Sequence, residues 1–318
     1  MSERVLVTGV LGCIGAWTAA TLVREGVEVV GFDLGADTAR LDLVMRPDEV
    51  QAVTLERGDI GDLAALEAVL DRQEITRVIH LAALQIPFCR ADPPRGAYVN
   101  VLGTANVFEA VKRRREQVRG PLVLASTAAV YEPVEPGDET VPAEDARTRP
   151  ATHYGVYKVA NEGTARVYWQ DEGVASVALR PYTVYGPARD QGVTAAPTLA
   201  IEAATRGEAY HVPYGGRTHW NYAPDVARAL VAAMRSGHEG ALAANLRGTI
   251  ESMGEFVAAI EAALPEARGL VTFDDAPLAL PPVYATGAFE RLVGDFRWTP
   301  LADGVRETIA AFQARSPR

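Results

Sequence analysis

At 318 residues the chain is long enough for one large or two modest domains with a sizeable core. Its make-up, 48% apolar and 23% charged, is that of a soluble globular protein, and a net charge of −10 argues against nucleic acid as the main partner. An anionic small molecule at a locally basic site remains compatible with that charge.

Two cysteines, Cys13 and Cys89, give neither a disulfide framework nor a zinc spacing, and no metal site is expected. No apolar run reaches membrane-spanning length, and residues 1–10 read as the start of a strand rather than a signal peptide. A cytoplasmic location with no membrane partner is the expectation.

Val5 to Val7 read as a short buried strand. Gly9, Gly12 and Gly15 follow, and a helical pattern then runs from Ala16 to Glu25. A strand, a glycine turn and a helix N-terminus favour an anion through free N–H groups and the helix dipole. Gly9 would allow the tight turn, Gly12 the approach of a pyrophosphate, and Gly15 close helix packing. The Gly-x-x-Gly-x-x-Gly spacing also fits an ordinary glycine-rich turn, so context decides. A second strand, Glu28 to Phe32, ends in Asp33, an acid placed to accept hydrogen bonds from an adenosine ribose and to repel a 2′-phosphate. The pattern predicts a dinucleotide site that takes NAD rather than NADP.

Val53 to Leu55 is a third strand, leading into Asp59 and Ile60 and a helix from Leu63 to Gln73. Asp59 is either an adenine contact or the cap of that helix. Arg77 to Ile79 is a fourth strand, running into His80-Leu81-Ala82-Ala83, where small residues leave room for a ligand. His80 reads as a packed histidine. Residues 84–95 read as a loop because of their three prolines, and residues 96–117 as one long helix containing Asn100-Val101-Leu102-Gly103-Thr104.

A fifth strand, Leu122 to Ala125, puts Ser126 and Thr127 at the ligand edge of the sheet. Residues 132–150 are acidic, proline-rich surface loop. Tyr154 and Lys158 then share one face of a helix that runs to Glu172. A tyrosine beside a cation can work as an acid/base near neutrality. Tyr157 is the competing candidate, but Asn161, four residues on, supplies no cation. A sixth strand, Ser176 to Leu179, leads into Arg180-Pro181-Tyr182-Thr183-Val184-Tyr185-Gly186-Pro187, after which the βα rhythm breaks down.

The alternation predicts an α/β protein: a Rossmann-type, doubly wound parallel sheet with a smaller, interleaved C-terminal α/β substrate domain. The expected division is 1–175 with a returning segment near 223–248, against 176–222 and 249–318.

The ordered set Thr-Gly-x-x-Gly-x-Ile-Gly, Asp33, Gly-Asp-Ile, His-Leu-Ala-Ala, Asn-Val-x-Gly-Thr, Ser-Thr-x-x-Val-Tyr, Tyr-x-x-x-Lys and Arg-Pro-x-x-Val-Tyr-Gly-Pro resembles the extended short-chain dehydrogenase/reductases, the NAD-dependent epimerase/dehydratase family. The resemblance implies that Tyr154 moves the substrate hydroxyl proton. Lys158 would hold the nicotinamide ribose and lower the tyrosine pKa, and Thr127 would bond the reacting oxygen. It puts Gly9, Gly12, Ile14 and Gly15 on the pyrophosphate, Asp33 on the ribose, Asp59 and Ile60 on the adenine, and Ala82, Pro181 and Val184 along the nicotinamide.

The resemblance implies an NAD-dependent sugar epimerase or oxidoreductase acting at a secondary hydroxyl, C4 of a nucleotide sugar in the manner of UDP-glucose 4-epimerase. Two positions depart from the nucleotide-sugar pattern: Thr183 stands where an asparagine is usual, and Thr218 where an arginine contacts the diphosphate. They favour a net dehydrogenase or ketoreductase on a non-nucleotide sugar, sugar acid or polyol. A non-catalytic NAD-binding regulator is the alternative of another class. Thr127, Tyr154, Thr183, Arg189 and Arg217 are the candidate substrate contacts, with Arg90 and Arg95 as further candidate anion partners. A homodimer, paired through the helices near 96–117 and 154–172, is also implied.

Overall fold

The computed structural model describes residues 3–135 and 140–314. In chain order its strands are β1 (Arg4–Thr8), β2 (Glu28–Asp33), β3 (Val53–Arg57), β4 (Arg77–His80), β5 (Leu122–Ala125), β6 (Ser176–Arg180), β7 (Thr183–Tyr185), β8 (Tyr210–Val212), β9 (Arg217–Tyr222), β10 (Ala241–Asn245), β11 (Thr249–Ser252) and β12 (Val271–Phe273).

Seven of these form one parallel sheet in the order β10-β6-β5-β4-β1-β2-β3. The strand period of two sorts its side chains into two layers. Val5 and Val7 of β1 pack on one side with helices Cys13–Arg24 and Ala223–Arg235. Leu6, Val30 and Phe32 pack on the other with helices Leu63–Arg72 and Gly103–Lys112. Each such aliphatic or aromatic side chain contributes about 1.5–3 kcal/mol on burial. From β1 the chain winds outward to β2 and β3, then returns to the other side of β1 for β4, β5 and β6. The reversal opens a crevice at the carboxyl ends of β1 and β4.

A second core gathers Trp220, Tyr222, Phe256, Ile260, Val305 and Ile309, around helices Met253–Ala263 and Leu301–Gln313 and a small sheet of β11, β9 and β7.

Three boundaries differ from the sequence reading. Ser176–Arg180, assigned there to the second unit, pairs with β5 and β10 in the seven-stranded sheet. The expected loop at 84–95 contains helices Ile86–Ala91 and Pro93–Ala97. Its prolines lie in first turns, where a missing N–H costs nothing. The expected helix 96–117 is interrupted by a π-turn at Tyr98–Leu102 and ends at Lys112. Of the acidic loop, 140–150 carries neither helix nor strand, and 136–139 lie outside the described residues. Among the described residues no helix is long and apolar enough to cross a membrane.

Candidate active site

The glycine turn closes as its composition dictates. Gly9 has φ +70°, and a Cβ there would press on the Ala82 backbone. A Cβ on Gly15 would collide with the Gly9 carbonyl oxygen, so only glycine lets helix Cys13–Arg24 sit this close to β1. Gly12 caps that helix without a side-chain bond, and its first turn carries no acid. The N–H groups at this end are therefore free to meet an anion.

A cavity of about 710 Å³ opens over the turn. Gly9, Gly12, Ile14 and Gly15 line it, with Asp33, Asp59, Ile60, Ala82, Pro181 and Val184. Asp33 ends β2 with one carboxylate oxygen accepting from the Leu11 N–H and the other from the Gly35 N–H, both at 3.1 Å. The helix after β3 is capped by Asp62, which accepts from the Ala65 N–H at 3.0 Å. Asp59 is thereby left in the cavity wall, where it accepts from the Gly61 N–H at 2.9 Å and meets Arg95 at 3.5 Å. Free helical N–H groups, a carboxylate at the end of β2 and a second polar wall match a dinucleotide's pyrophosphate, ribose and base.

At the other end of the cavity lie Thr127, Tyr154 and Lys158. Thr127 follows the end of β5. Tyr154 and Lys158 lie on helix His153–Glu172, whose start is fixed by Thr152 accepting from the Gly155 N–H at 3.0 Å. Thr127 lies close enough to the Tyr154 hydroxyl to act on its acidity. Burial pushes the Tyr154 pKa up to about 12, and the positive charge of Arg189 and the nearby Thr127 hydroxyl pull against that rise. Lys158 donates to the Ala125 carbonyl oxygen at 2.7 Å, with its ammonium 5.6 Å from the Tyr154 ring centroid, and burial lowers its pKa to about 8. Arg189 supplies a positive charge that eases deprotonation of Tyr154.

His80 is packed, as its setting implies. It bridges Thr8 at 2.7 Å and Thr104 at 3.0 Å, and burial drops its pKa to about 3. Asn100, in the π-turn, grips the Leu84 N–H at 2.9 Å and the Leu84 carbonyl at 3.0 Å, fixing the chain beneath the cavity. Tyr157, the competing tyrosine, donates to the Pro93 carbonyl at 2.8 Å.

Two expected substrate contacts lie elsewhere. Thr183 is buried with its hydroxyl 2.9 Å from that of Thr218, and neither lines the cavity. Tyr182 and Val184 take the cavity side, and Thr183 between them turns away. Arg217, at the start of β9, is exposed and outside the cavity wall. Arg90 is likewise exposed.

The sequence reading missed a buried brace behind Thr127. Arg180 donates to both oxygens of Glu162 at 2.7 Å, and Ser126 donates to the same carboxylate at 2.5 Å. Glu162 stands four residues after Lys158 on the same helix, a spacing that could have flagged it. It missed also the ion pair of Arg40 with Asp190 at 3.0 Å, which no local spacing announces.

A sequence model of the NAD dependent epimerase/dehydratase family matches residues 5–245. The chain belongs to that family. UDP-glucuronate 4-epimerase 2 of Arabidopsis thaliana is 33% identical over 190 residues, 58% of this chain and 42% of its own. The chain thus matches about two-fifths of the length of such plant relatives. UDP-glucose 4-epimerase of Mycolicibacterium smegmatis is 29% identical over 328 residues, covering 98% of this chain and 99% of its own. The solved UDP-glucose 4-epimerase of Thermus thermophilus, in complex with NAD, superposes with a TM-score of 0.80 at 27% identity, over 98% of this chain and 100% of its own. In this epimerase/dehydratase-family chain the matched residues include the whole glycine turn, Asp33, Thr127, Tyr154 and Lys158, and they stop at the end of β10. About half of the second core lies beyond the match.

Proposed function

We propose that the protein is an NAD-dependent sugar epimerase or oxidoreductase that works at a secondary hydroxyl, with the nucleotide-sugar 4-epimerases among its relatives as the nearest guide to substrate. The observation that carries this reading is the gathering of Thr127, Tyr154 and Lys158 in the wall of one cavity whose other end suits a dinucleotide. NAD, when bound, supplies the acceptor and donor of hydride. The glycine turn and the N-terminus of helix Cys13–Arg24 would hold its pyrophosphate, Asp33 its adenosine ribose, and Lys158 its second ribose. Thr127 bonds the reacting substrate oxygen and Tyr154 takes and returns its proton.

Mixing the protein with NAD and either UDP-glucose or UDP-glucuronate tests the reading, with NADH and the sugar product followed together. A 4-epimer without net NADH identifies an epimerase, and stoichiometric NADH a dehydrogenase. No change with either sugar counts against a nucleotide-sugar substrate. The Thr183–Thr218 pair then favours a dehydrogenase or ketoreductase acting on a non-nucleotide sugar, sugar acid or polyol. Against a silent NAD-binding regulator stands the complete set of Thr127, Tyr154 and Lys158.

We propose further that the chain forms a homodimer. Val156 and Val167 are exposed on one face of helix His153–Glu172, and Leu102 is exposed on the π-turn that packs beside it. The free thiols Cys13 and Cys89 support a reducing, cytoplasmic location.

A further inference from the structure

Of the three arginines that line the cavity, only Arg189 has no ion-pair partner among the described residues. Arg95 has Asp59, and Arg40 has Asp190. Arg189 lines the cavity, is half-buried, and has no ion-pair partner among the described residues. Its neighbour Asp190 does not neutralise it, because both Asp190 oxygens accept from Arg40, at 3.0 and 3.1 Å.

The guanidinium is nonetheless held in place. It donates to the Thr194 hydroxyl at 2.9 Å and to the Gln85 amide oxygen at 3.4 Å, both neutral acceptors. Gly192 turns the chain around it at φ +87°, and a Cβ there would collide with the Gln85 side chain. The remaining donor, Nε, is buried without a partner among the described residues. A positioned, uncompensated cation with an orphaned donor is costly unless a ligand completes it. Arg189 shares the cavity wall with Tyr154, and its field acts on the Tyr154 hydroxyl as well as on Cys13 in the glycine turn.

We propose that Arg189 receives a carboxylate on the substrate, so that the substrate is a sugar acid with its carboxylate held near the carbinol that Tyr154 deprotonates. This rests on the reading of the cavity as the site of a sugar carbinol and adds the substrate's charge to it. The carboxylate can belong to a nucleotide-linked uronate or to a free sugar acid. The pyrophosphate of the dinucleotide is the competing anion, but the helix N-terminus at Gly12 already provides for it.

Calorimetric titration of the NAD-loaded protein with UDP-glucuronate, UDP-glucose, glucuronate and glucose tests the proposal. The acid of at least one pair binds about tenfold or more tighter than its neutral counterpart. Arg189→Gln erases that gap, Arg189→Lys keeps part of it, and both variants bind NAD within about twofold of the wild type. The proposal is overturned if no acid is preferred, if none of the four binds, or if the preference survives in Arg189→Gln. Loss of NAD affinity in Arg189→Gln would also overturn it, by assigning the guanidinium to the cofactor. Acids that bind through Arg189 yet are neither oxidised nor epimerised would sink the proposed function while leaving this inference standing. Turnover of neutral sugars indifferent to Arg189 would do the reverse.

Discussion

The Lys158 ammonium is bonded to the Ala125 carbonyl oxygen at 2.7 Å, which ties the cation of the Tyr-x-x-x-Lys pair to the end of β5. Burial lowers its pKa from 10.5 to about 8. Between these values the unfolded chain holds more protons than the folded one, so stability rises with pH across the window. Below pH 8 the buried charge weighs fully against the fold. Relative to Lys158→Met, the wild type should therefore gain stability as pH rises from about 8 to 10.5, by on the order of 1–3 kcal/mol. The orphaned Ala125 carbonyl adds only a constant offset. Chemical denaturation of both proteins across that range checks this, and a flat difference would show that Lys158 is not perturbed.

Gly15→Ala should cost about 3 kcal/mol or more, at or above the top of the range for an overpacked core position, because the groups met by the new Cβ are backbone. The helix must move off β1, and its N-terminal N–H groups move with it. Thermal unfolding together with NAD titration measures both effects. A variant that binds NAD as the wild type does would show that the helix N-terminus is not the pyrophosphate site.

Arg40 reaches from helix Ala39–Val44 to Asp190 and also donates to the Leu11 carbonyl at 3.0 Å. All three residues border the cavity, so the ion pair joins its two walls. Half-exposed pairs of this kind contribute about 0.2–1 kcal/mol. Asp190→Asn should speed NAD release by up to about fivefold, an increase that shrinks at high salt. Stopped-flow displacement of NAD at low and high ionic strength decides the point, and an unchanged release rate would remove the pair from cofactor retention.

The parts of the molecule legible in the sequence are those where one local segment does the work. The strand–glycine–helix unit at 5–25, Asp33 at a strand end, and Tyr154 with Lys158 four apart on a helix all carry their reason within a few residues. Prolines misled where they fell in first helical turns, as at Pro87, Pro93 and Pro94, because a proline at a helix start and one in a loop read alike. The cap of helix Leu63–Arg72 was open between an adenine role and a capping role for Asp59 until Asp62 proved to be the cap. Thr183 and Arg217 were placed by motif position, which does not say which way a side chain turns. Long-range partners left no trace at all: Asp190 for Arg40 is set by how the loop after β7 meets the first unit, and Thr218 for Thr183 by the pairing of β7 with β9.

The central claim is that Tyr154 moves the substrate proton in an NAD-dependent reaction, and Tyr154→Phe tests it most directly. The measurement is turnover of UDP-glucose, UDP-glucuronate and free sugar acids by wild type and variant, with NAD affinity determined on the same samples. The account predicts that the variant binds NAD normally and loses about a hundredfold or more of the activity on whichever substrate the wild type converts. A variant with undiminished turnover, or a wild type that does not bind NAD, would contradict it.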